Sequence, residues 1–418
     1  MKLDNAAKIY PAARRRNWMA LFRVSATLSD HVDPAVLSTA LSRVLKRLPG
    51  FAQSLKRGLF WYYLEHNDGL PDITPDVANP CVRLIPKENR GFQFRVRYYN
   101  RRIAVEFFHV LTDGTGGMIF LKTLVAEYLR LKYNAGIPCT DGILDCGESP
   151  RPGETEDAYL RYAGSVTRSR SEKNAFYIKG TEDPDDVHIV TGLIPVAEVL
   201  ERAHARGVTL TEYLTAVLIL AIDGIQRRSG VRRCHMKPVK INVPINLRRF
   251  YPTETLRNFA IYVNPGIDPR LGTYSFDEIL RAVHHHMGAE VEEKLLNARI
   301  ATNVRTELNP ILRAAPLFVK NIAMKLTFNM VGDRKTSSSL SNIGVVRVPP
   351  EMEKYVRRFD FILGPLSRNR VVLAALSYRD TLVLNFTRTI RESMVERDFF
   401  RFLVREGIHV TIESNNQP

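Results

Sequence analysis

The chain has 418 residues and a formal net charge of +16, with 45% hydrophobic and 25% charged residues. This composition is that of an ordinary folded protein and excludes a disordered chain, a collagen-like repeat and a small disulfide scaffold. The length predicts about two domains, or two lobes that share one interface. The basic surplus would attract polyanions, yet the basic residues are dispersed, so charge alone selects no partner.

Hydropathy and cysteine usage bear on the compartment. No apolar run approaches the roughly 20 residues needed to cross a bilayer, and residues 1–5 lack the features of a secretory signal. The cysteines show neither a metal-binding nor a disulfide spacing; they are Cys81, Cys139, Cys146 and Cys234. The sequence therefore predicts reduced thiols in a cytoplasmic protein without a transmembrane segment.

The first half of the chain alternates helix and strand signals. Asp33 followed by Pro34 is typical of a helix N-terminus, and Pro49 ends that helix. Alternating apolar and polar side chains predict strands, and apolar residues at helical spacing predict a second helix. In chain order these elements are expected at 34–48, 60–64, 92–99, 102–109 and 115–132.

A polar stretch between about residues 139 and 186 changes the composition. It carries dispersed Gly and Pro and charges of both signs, and it is predicted to be a crossover with one short helix around 157–166. The predicted division is an N-terminal lobe at 1–185, which includes the crossover, and a C-terminal lobe at 186–418.

The second half repeats the mixture of helices and strands. Thr209 and Glu212 form a capping-box pattern, and Pro316 should break a basic helix near Ala315. The expected elements are helices at 196–203, 209–225, 275 to about 296 and 310–327, a strand at 239–247, a hairpin at 371–389, a helix at 396–406 and a strand at 409–412. The fold class is therefore α/β or α+β, with a mixed sheet in each half.

The loop between the strand that ends at His109 and the following helix is the most informative segment. A neutral imidazole at a strand end can remove a proton from an alcohol, amine or thiol as it attacks a carbonyl. Asp113 can cap the helix, and Gly114 permits a backbone conformation closed to other residues. On spacing alone, a structural histidine before an Asp-Gly turn is the more frequent alternative.

Other candidate sites are weaker. The chain has no GxSxG elbow, and residues 113–117 lack the ending of a phosphate-binding loop. His284–His286 are consecutive on a predicted helix and cannot converge on one metal, so no metal site is expected. A phosphate-recognising role for Arg14–Arg16 is a hypothesis.

The pattern His109-x-x-x-Asp113-Gly114 between a strand and an amphipathic helix resembles the chloramphenicol-acetyltransferase-like superfamily. That group includes peptide-synthetase condensation domains, wax-ester and polyketide-associated acyltransferases, plant BAHD-type enzymes and bacterial alcohol acetyltransferases. Further segments resemble these proteins in the same order, at 37–51, 244–259 and 341–352. The last segment is most similar to the bacterial alcohol-acetyltransferase branch. Phe108 replaces the first histidine of the condensation-domain doublet, and the plant signature is absent.

The resemblance implies a two-lobed sandwich of mixed sheets flanked by helices, with a tunnel between the lobes. His109 matches the general base, which deprotonates the acceptor so that it attacks a thioester without an acyl-enzyme intermediate. Asp113 matches a structural aspartate that pairs with an arginine, for which Arg248 is the candidate. Gly114 matches the glycine of the loop.

Ser341 and Asn342 match a segment near the tunnel, where either could donate a hydrogen bond to the oxyanion. The alternative is a turn between strands. No permanent cofactor is expected; acyl-CoA or a phosphopantetheinyl thioester on an acidic carrier protein would be the co-substrate, with a small alcohol or amine as acceptor.

The expected molecule is a monomeric acyltransferase. The second hypothesis is a non-catalytic relative that binds a carrier protein or an acyl chain. Nucleic-acid binding would rest on charge alone, without a recognisable binding motif, and is not expected.

Overall fold

The computed structural model describes residues 1–14, 19–168, 172–183, 186–331, 333–366 and 368–415, without the side chains of 326–331 and 333. The helices are α1 Ile9–Ala13, α2 Pro34–Arg47, α3 Gly114–Tyr133, α4 Ala158–Tyr162, α5 Val196–His204, α6 Leu210–Arg228, α7 Phe276–Glu290, α8 Glu293–Leu308, α9 Pro310–Ala314, α10 Leu317–Val331, α11 Pro350–Glu353 and α12 Met394–Arg405. The strands are β1 Leu21–Leu28, β2 Gln53–Arg57, β3 Tyr62–His66, β4 Ile73–Pro75, β5 Phe94–Tyr99, β6 Arg102–Phe108, β7 His188–Pro195, β8 Val239–Asn246, β9 Ala260–Val263, β10 Gly266–Ile267, β11 Ser338–Val346, β12 Val356–Leu363, β13 Val371–Tyr378, β14 Thr381–Arg388 and β15 Thr411–Ser414.

The first sheet has the strand order β12-β1-β6-β5-β4. Strand β6 lies near its centre, antiparallel to β1 and β5, and leads directly into the loop that starts at His109. Helices α2 and α3 pack together, and α3 also packs on β1 and β6. The rings of Phe22, Phe107 and Phe120 are fully buried in this core, so the strand end before His109 is rigidly held.

The second sheet has the order β10-β8-β11-β13-β14-β7-β15, with β9 also paired to β8. It is mixed, because β11 runs parallel to both β8 and β13 while the other pairs are antiparallel. Helix α6 packs between α7 and α12 and contributes most of its residues to the core of this half. The predicted fold class, mixed sheets flanked by helices, is confirmed.

Strand β12 connects the two halves. It follows β11 in sequence but pairs along its length with β1 in the first sheet. Asn385 on β14 donates from Nδ2 to the carbonyl oxygen of Phe361 on β12 at 3.1 Å, and Ala374 and Leu376 on β13 belong to the first core. The division at residue 185 stays a prediction, and the sheet pairing crosses it.

Two helix boundaries show how tertiary packing acts on sequence patterns. The helix predicted to run from 275 to about 296 is wrong beyond Glu290, because Val291 ends α7 and a new helix begins at Glu293. The physical reason is that α7 buries its apolar stripe against α6, whereas α8 buries Leu296 and Ile300 in a separate cluster. The predicted break before Pro316 is confirmed, since it separates α9 from α10.

The N-terminus of α3 contacts the second sheet where β8 and β11 stop pairing. Strands β8 and β11 pair only at Ser338 and Ser339, beyond which β8 pairs with β9 and β11 with β13. Asn246, at the end of β8, donates from Nδ2 to Thr115 Oγ1 at 3.1 Å, and Ile343 on β11 lies beside Gly114. The loop that begins at His109 therefore sits where the two halves meet.

Candidate active site

The backbone of His109 is fixed on two sides. Its N–H donates to the carbonyl oxygen of Ala20 at 3.0 Å, and its own carbonyl oxygen accepts from Asn258 Nδ2 at 2.8 Å. Ala20 precedes β1 in the first half, whereas Asn258 lies in the loop before β9 in the second. His109 is therefore anchored by both halves of the chain.

The His109 ring lies beside two aromatic rings, and the residue as a whole is half-buried. Its centroid is 4.6 Å from that of Phe22 and 5.2 Å from that of Tyr10, with which it stacks at an interplanar angle of 25°. These rings restrict the rotation of the imidazole.

Asn258 determines which nitrogen of His109 carries the proton. Its Nδ2 donates to the His109 carbonyl and, at 3.1 Å, to Asp4 Oδ2. Both of those partners are acceptors, so the orientation of the amide is fixed and Oδ1 faces His109 Nδ1, at 3.4 Å. An amide oxygen only accepts. The contact is long for a hydrogen bond, but it favours the tautomer with the proton on Nδ1 and a lone pair on Nε2.

The surroundings of His109 also favour the neutral imidazole. Burial lowers its pKa below the ordinary value of 6.5, and the contacts with Asn258, Asp113 and the Thr112 backbone offset only part of that effect. A neutral ring with a free Nε2 lone pair is the form that accepts a proton. The site thus presents a base near neutral pH.

The carboxylate of Asp113 holds the loop in place through hydrogen bonds to three partners. Its Oδ2 accepts from Arg248 Nη1 at 2.8 Å and from the Phe259 N–H at 2.9 Å, and its Oδ1 caps α3 by accepting from the Gly116 N–H at 3.1 Å. The arginine paired with it is the one expected from the sequence. With these partners, the carboxylate has little capacity left to act on a substrate.

Arg248 extends the same network. Its Nε donates to the Thr255 carbonyl at 3.0 Å and its Nη2 to the Arg257 carbonyl at 2.5 Å. One guanidinium thus joins the His109 loop to the 255–259 loop, using donors in several directions. The same loop carries Asn258.

The expectation for Gly114 is wrong in its physical reason. Gly114 does not adopt a positive φ, and a Cβ there would meet Ile343 at 3.4 Å, which is ordinary contact. The strict requirement falls on its neighbours. A Cβ on Gly116 would lie 2.2 Å from the Leu256 carbonyl oxygen, and one on Gly117 would lie 2.7 Å from the Phe22 ring.

Ser341 and Asn342 lie on β11, close to a bulge. Asn342 donates from Nδ2 to Thr211 Oγ1 at 3.1 Å and accepts from the Gly344 N–H at 2.8 Å, with Gly344 at φ +90°. Its amide is thus used in the bulge within β11 and in a contact with α6. Side chains of residues paired across neighbouring strands share one face of the sheet, so Ser341, which pairs with Ala374 of the first core, faces the first half of the chain.

The remaining candidates lie elsewhere. The Arg14 guanidinium carbon lies 5.9 Å from the centre of the Phe108 ring, and burial lowers its pKa; Arg15 and Arg16 lie outside the described residues. His284 contacts Glu212, with Nδ1 at 3.1 Å from Oε1. In the part of the chain that the structure describes, no group of three or more His, Cys, Asp or Glu side chains could hold a metal ion.

Sequence reasoning missed the residues around the histidine. Asn258 stands in a segment that resembles the superfamily, but no spacing marked it as a contact of His109. Asp4 is fully buried and accepts from the Ala7 N–H at 2.7 Å, although an acidic residue near a chain start usually faces solvent. Tyr10 carried no signal at all, since its stacking partner is 99 positions away in the chain.

Comparisons with known proteins were made by sequence and by structure. No family model and no curated protein sequence matches the chain. Among solved structures, polyketide synthase associated protein 5 from Mycobacterium tuberculosis has 13% identity and a TM-score of 0.64, with 96% of each chain covered. The chain has the fold of the chloramphenicol-acetyltransferase-like superfamily.

Two other solved structures support the same fold. A mutant starter condensation domain of rhizomide synthetase RzmA has 12% identity and a TM-score of 0.60, over 97% of this chain and 94% of that one. The trichothecene 15-O-acetyltransferase TRI3 from Fusarium sporotrichioides has 11% identity and a TM-score of 0.59, over 97% and 93%. At these identities the likeness concerns the fold, and it extends over nearly the whole chain.

The glycine contacts yield a prediction. Gly116→Ala should prevent correct packing, because its methyl group would overlap the Leu256 carbonyl oxygen, whereas Gly114→Ala should be tolerated. We expect Gly116→Ala to lower the free energy of unfolding by about 1–3 kcal/mol or more, measured by urea denaturation. Equal stabilities for the two variants would contradict this account.

A second prediction concerns the aspartate. Asp113→Asn removes the charge that Arg248 and the Phe259 N–H bind, and should lower the free energy of unfolding by about 1.5–3 kcal/mol. Asp277→Asn is the matched control, since Asp277 pairs with Arg206 but its side chain is 72% exposed. If both variants unfold alike, Asp113 does not hold the loop.

Proposed function

We propose that the protein is an acyltransferase that moves an acyl group from a thioester to an alcohol or amine, with His109 as general base. The observation that carries the proposal is the environment of His109: an imidazole that burial keeps neutral, with Nδ1 facing Asn258, at the meeting point of two halves with the superfamily's fold. Those halves give opposite approaches for donor and acceptor. A continuous tunnel between them is part of the proposal.

The proposed reaction is an addition to the thioester carbonyl followed by loss of the thiolate, and His109 transfers a proton in each step. His109 Nε2 takes the proton of the acceptor O–H or N–H as that atom attacks the thioester carbonyl. The resulting tetrahedral oxyanion then collapses, the C–S bond breaks, and the imidazolium returns the proton to the leaving thiolate. The products are an ester or amide and a free thiol, and the enzyme is unchanged.

The oxyanion needs a donor, and Ser341 is the better of the two candidates. The amide nitrogen of Asn342 donates to Thr211, whereas Ser341 pairs with Ala374 and faces the first half of the chain, which carries His109. Removing one such donor from an acyl-transfer site costs about 3–4 kcal/mol of transition-state stabilisation. We assign Ser341 this role and give Asn342 the role of shaping the bulge.

The co-substrate is proposed as acyl-CoA or an acyl group on a phosphopantetheinyl carrier protein, without a permanent cofactor. The RzmA structure is described as a complex with C8-CoA and Leu-SNAC, and TRI3 is described as an O-acetyltransferase. The +16 charge of this chain suits either the phosphates of CoA or an acidic carrier protein. The free cysteines agree with a cytoplasmic location, and a monomer contains the whole proposed site.

A non-catalytic protein of the same fold is the alternative. It would bind a carrier protein or an acyl chain without transfer. The orientation of His109 by Asn258 and Asp4 favours catalysis, because a binding site has no need of a defined imidazole tautomer.

His109→Ala tests the assignment. The variant should lose transfer by at least about a hundredfold while its melting temperature stays close to that of the wild type, because the His109 backbone and the Asp113–Arg248 pair anchor the loop without the imidazole. Thiol release from acetyl and longer acyl thioesters, with a panel of alcohols and amines, measures the effect. His284→Ala is the control, as this histidine lies on α7. Normal turnover by His109→Ala would overturn the assignment.

The pH dependence gives a separate test. Because the pKa of His109 is lowered below 6.5, the ring is unprotonated at neutral pH and kcat/KM should fall only as the pH drops through that lowered pKa. The acid limb of a pH profile measured with a saturating acceptor reports it. An acid limb above pH 6.5, where a raised pKa would place it, would contradict the proposed environment.

A further inference from the structure

In the part of helix α10 whose side chains are described, residues 317–325, several apolar side chains face outward. Its inner face holds Leu317, Lys320 and Asn321, of which Lys320 is only 4% exposed. Its outer face presents Phe318 and Ile322, which are 61% and 60% exposed. A surface helix normally turns its apolar stripe to the core and its charges to water, so the pattern at residues 318–322, with an inward lysine and outward apolar side chains, is inverted.

The exposed apolar side chains continue beyond α10. Ile311 on α9 is 81% exposed, and Leu59 in the turn between β2 and β3 is 75% exposed. We refer to the whole set as the apolar surface; it consists of Leu59, Phe60, Ile311, Leu312, Phe318, Val319 and Ile322. Contiguous exposed patches of this kind mark interaction sites.

Buried polar contacts hold the three segments together. Lys320 Nζ donates to the carbonyl oxygens of Phe60 and Arg313, both at 3.0 Å, and lies 4.0 Å from the centre of the Trp61 ring. The Leu317 N–H donates to the Leu59 carbonyl at 3.0 Å. The inward position of Lys320 is therefore fixed by its contacts, because this side chain joins α9, α10 and the turn between β2 and β3.

Basic residues accompany the apolar surface. The sequence from 308 to 331 contains Arg313, Lys320 and Lys325 and no acidic residue. Lys325 follows Ile322 by three positions, on the same side of the helix, and Arg57 adjoins the turn. Arg57, Arg313 and Lys325 are exposed, and none has a carboxylate partner among the described residues. The surface thus combines apolar side chains with unneutralised cations.

We propose that the apolar surface docks on an anionic lipid bilayer. Its apolar side chains would enter the boundary between headgroups and acyl chains, while Arg57, Arg313 and Lys325 contact lipid phosphates. Basic amphipathic helices bind membranes in this way, lying in the interface plane. Among the described residues no helix is long and apolar enough to cross a membrane, so the docking is peripheral.

Docking would bring the bilayer close to His109. Helix α10 packs on α1, and α1 carries Tyr10, whose ring stacks on that of His109. Resting on the proposed function, this arrangement assigns the acceptor or the acyl donor to the class of molecules that partition into membranes, such as long-chain alcohols or long-chain thioesters. The docking itself does not depend on acyl transfer.

The test is co-sedimentation of the purified full chain with vesicles. We expect binding to vesicles of phosphatidylglycerol and phosphatidylcholine in equal parts and much weaker binding to phosphatidylcholine alone. The double variant Phe318→Asp/Ile322→Asp should lose at least about tenfold in partition coefficient. Replacing Arg313 and Lys325 by Ala should cost about fivefold each at low salt and less at high salt.

Leu271→Asp is the matched control, because Leu271 is 76% exposed but lies after β10, outside the apolar surface. It should bind as the wild type does, and each variant should keep the wild-type circular dichroism and melting curve. His109→Ala should also bind normally, which separates this proposal from the proposed function.

Failure of the wild type to bind anionic vesicles, or equal binding by Phe318→Asp/Ile322→Asp and the wild type, would overturn the proposal. Sedimentation velocity tests the alternative, in which the apolar surface binds a second copy of the chain. A concentration-dependent dimer that the double variant abolishes, without vesicle binding, would assign the apolar surface to a second copy of the chain instead.

Discussion

The carboxylate of Asp113 is the group on which the geometry of the site depends. It accepts from the Arg248 guanidinium and the Phe259 N–H on one oxygen and from the Gly116 N–H on the other. A buried carboxylate with this many donors has its charge compensated locally. These contacts fix the start of α3, and with it the loop from His109, against the second half of the chain.

The chemistry of the site comes from a second set of contacts, which converge on the imidazole. Asp4 and the His109 carbonyl orient the Asn258 amide, and Asn258 in turn faces His109 Nδ1. Asp4 belongs to the segment that precedes the first sheet, so residues near the chain start take part in orienting the histidine. In the fold as a whole, β1, the 255–259 loop and α1 all contribute to a site that no single segment defines.

Much of the fold followed from local patterns. Asp33, Thr209 and Ser275 mark helix starts through side-chain caps that the structure contains, and Pro316 marks a break because its ring cannot continue a helix. The boundary between α7 and α8 was not predicted from the sequence, because both stretches have helical periodicity and they differ only in their packing partners. The order of the strands was not predicted either, since β12 pairs with a strand more than 300 positions away in the sequence.

The residues of the site likewise fall into those that the sequence indicated and those that it did not. His109, Asp113 and Arg248 stand out through a short motif and a matching segment, so sequence reasoning reached them. Gly116 and Gly117 stood in the same run of residues, but their role depends on a carbonyl oxygen and a ring from distant segments. Asp4, Tyr10 and Asn258 act through contacts that span more than 90 positions, and such contacts leave no periodic trace in a single sequence.

Because β12 belongs to the second half of the sequence but pairs with β1 in the first sheet, the chain is difficult to divide into two fragments. A fragment that ends before β12 would leave one long side of β1 with unpaired backbone N–H and C=O groups, which favours aggregation. A fragment that begins after the crossover would carry β12 without its partner. Cutting the chain between the halves therefore disrupts the first sheet, whereas a circular permutant that contains all residues keeps both sheets whole.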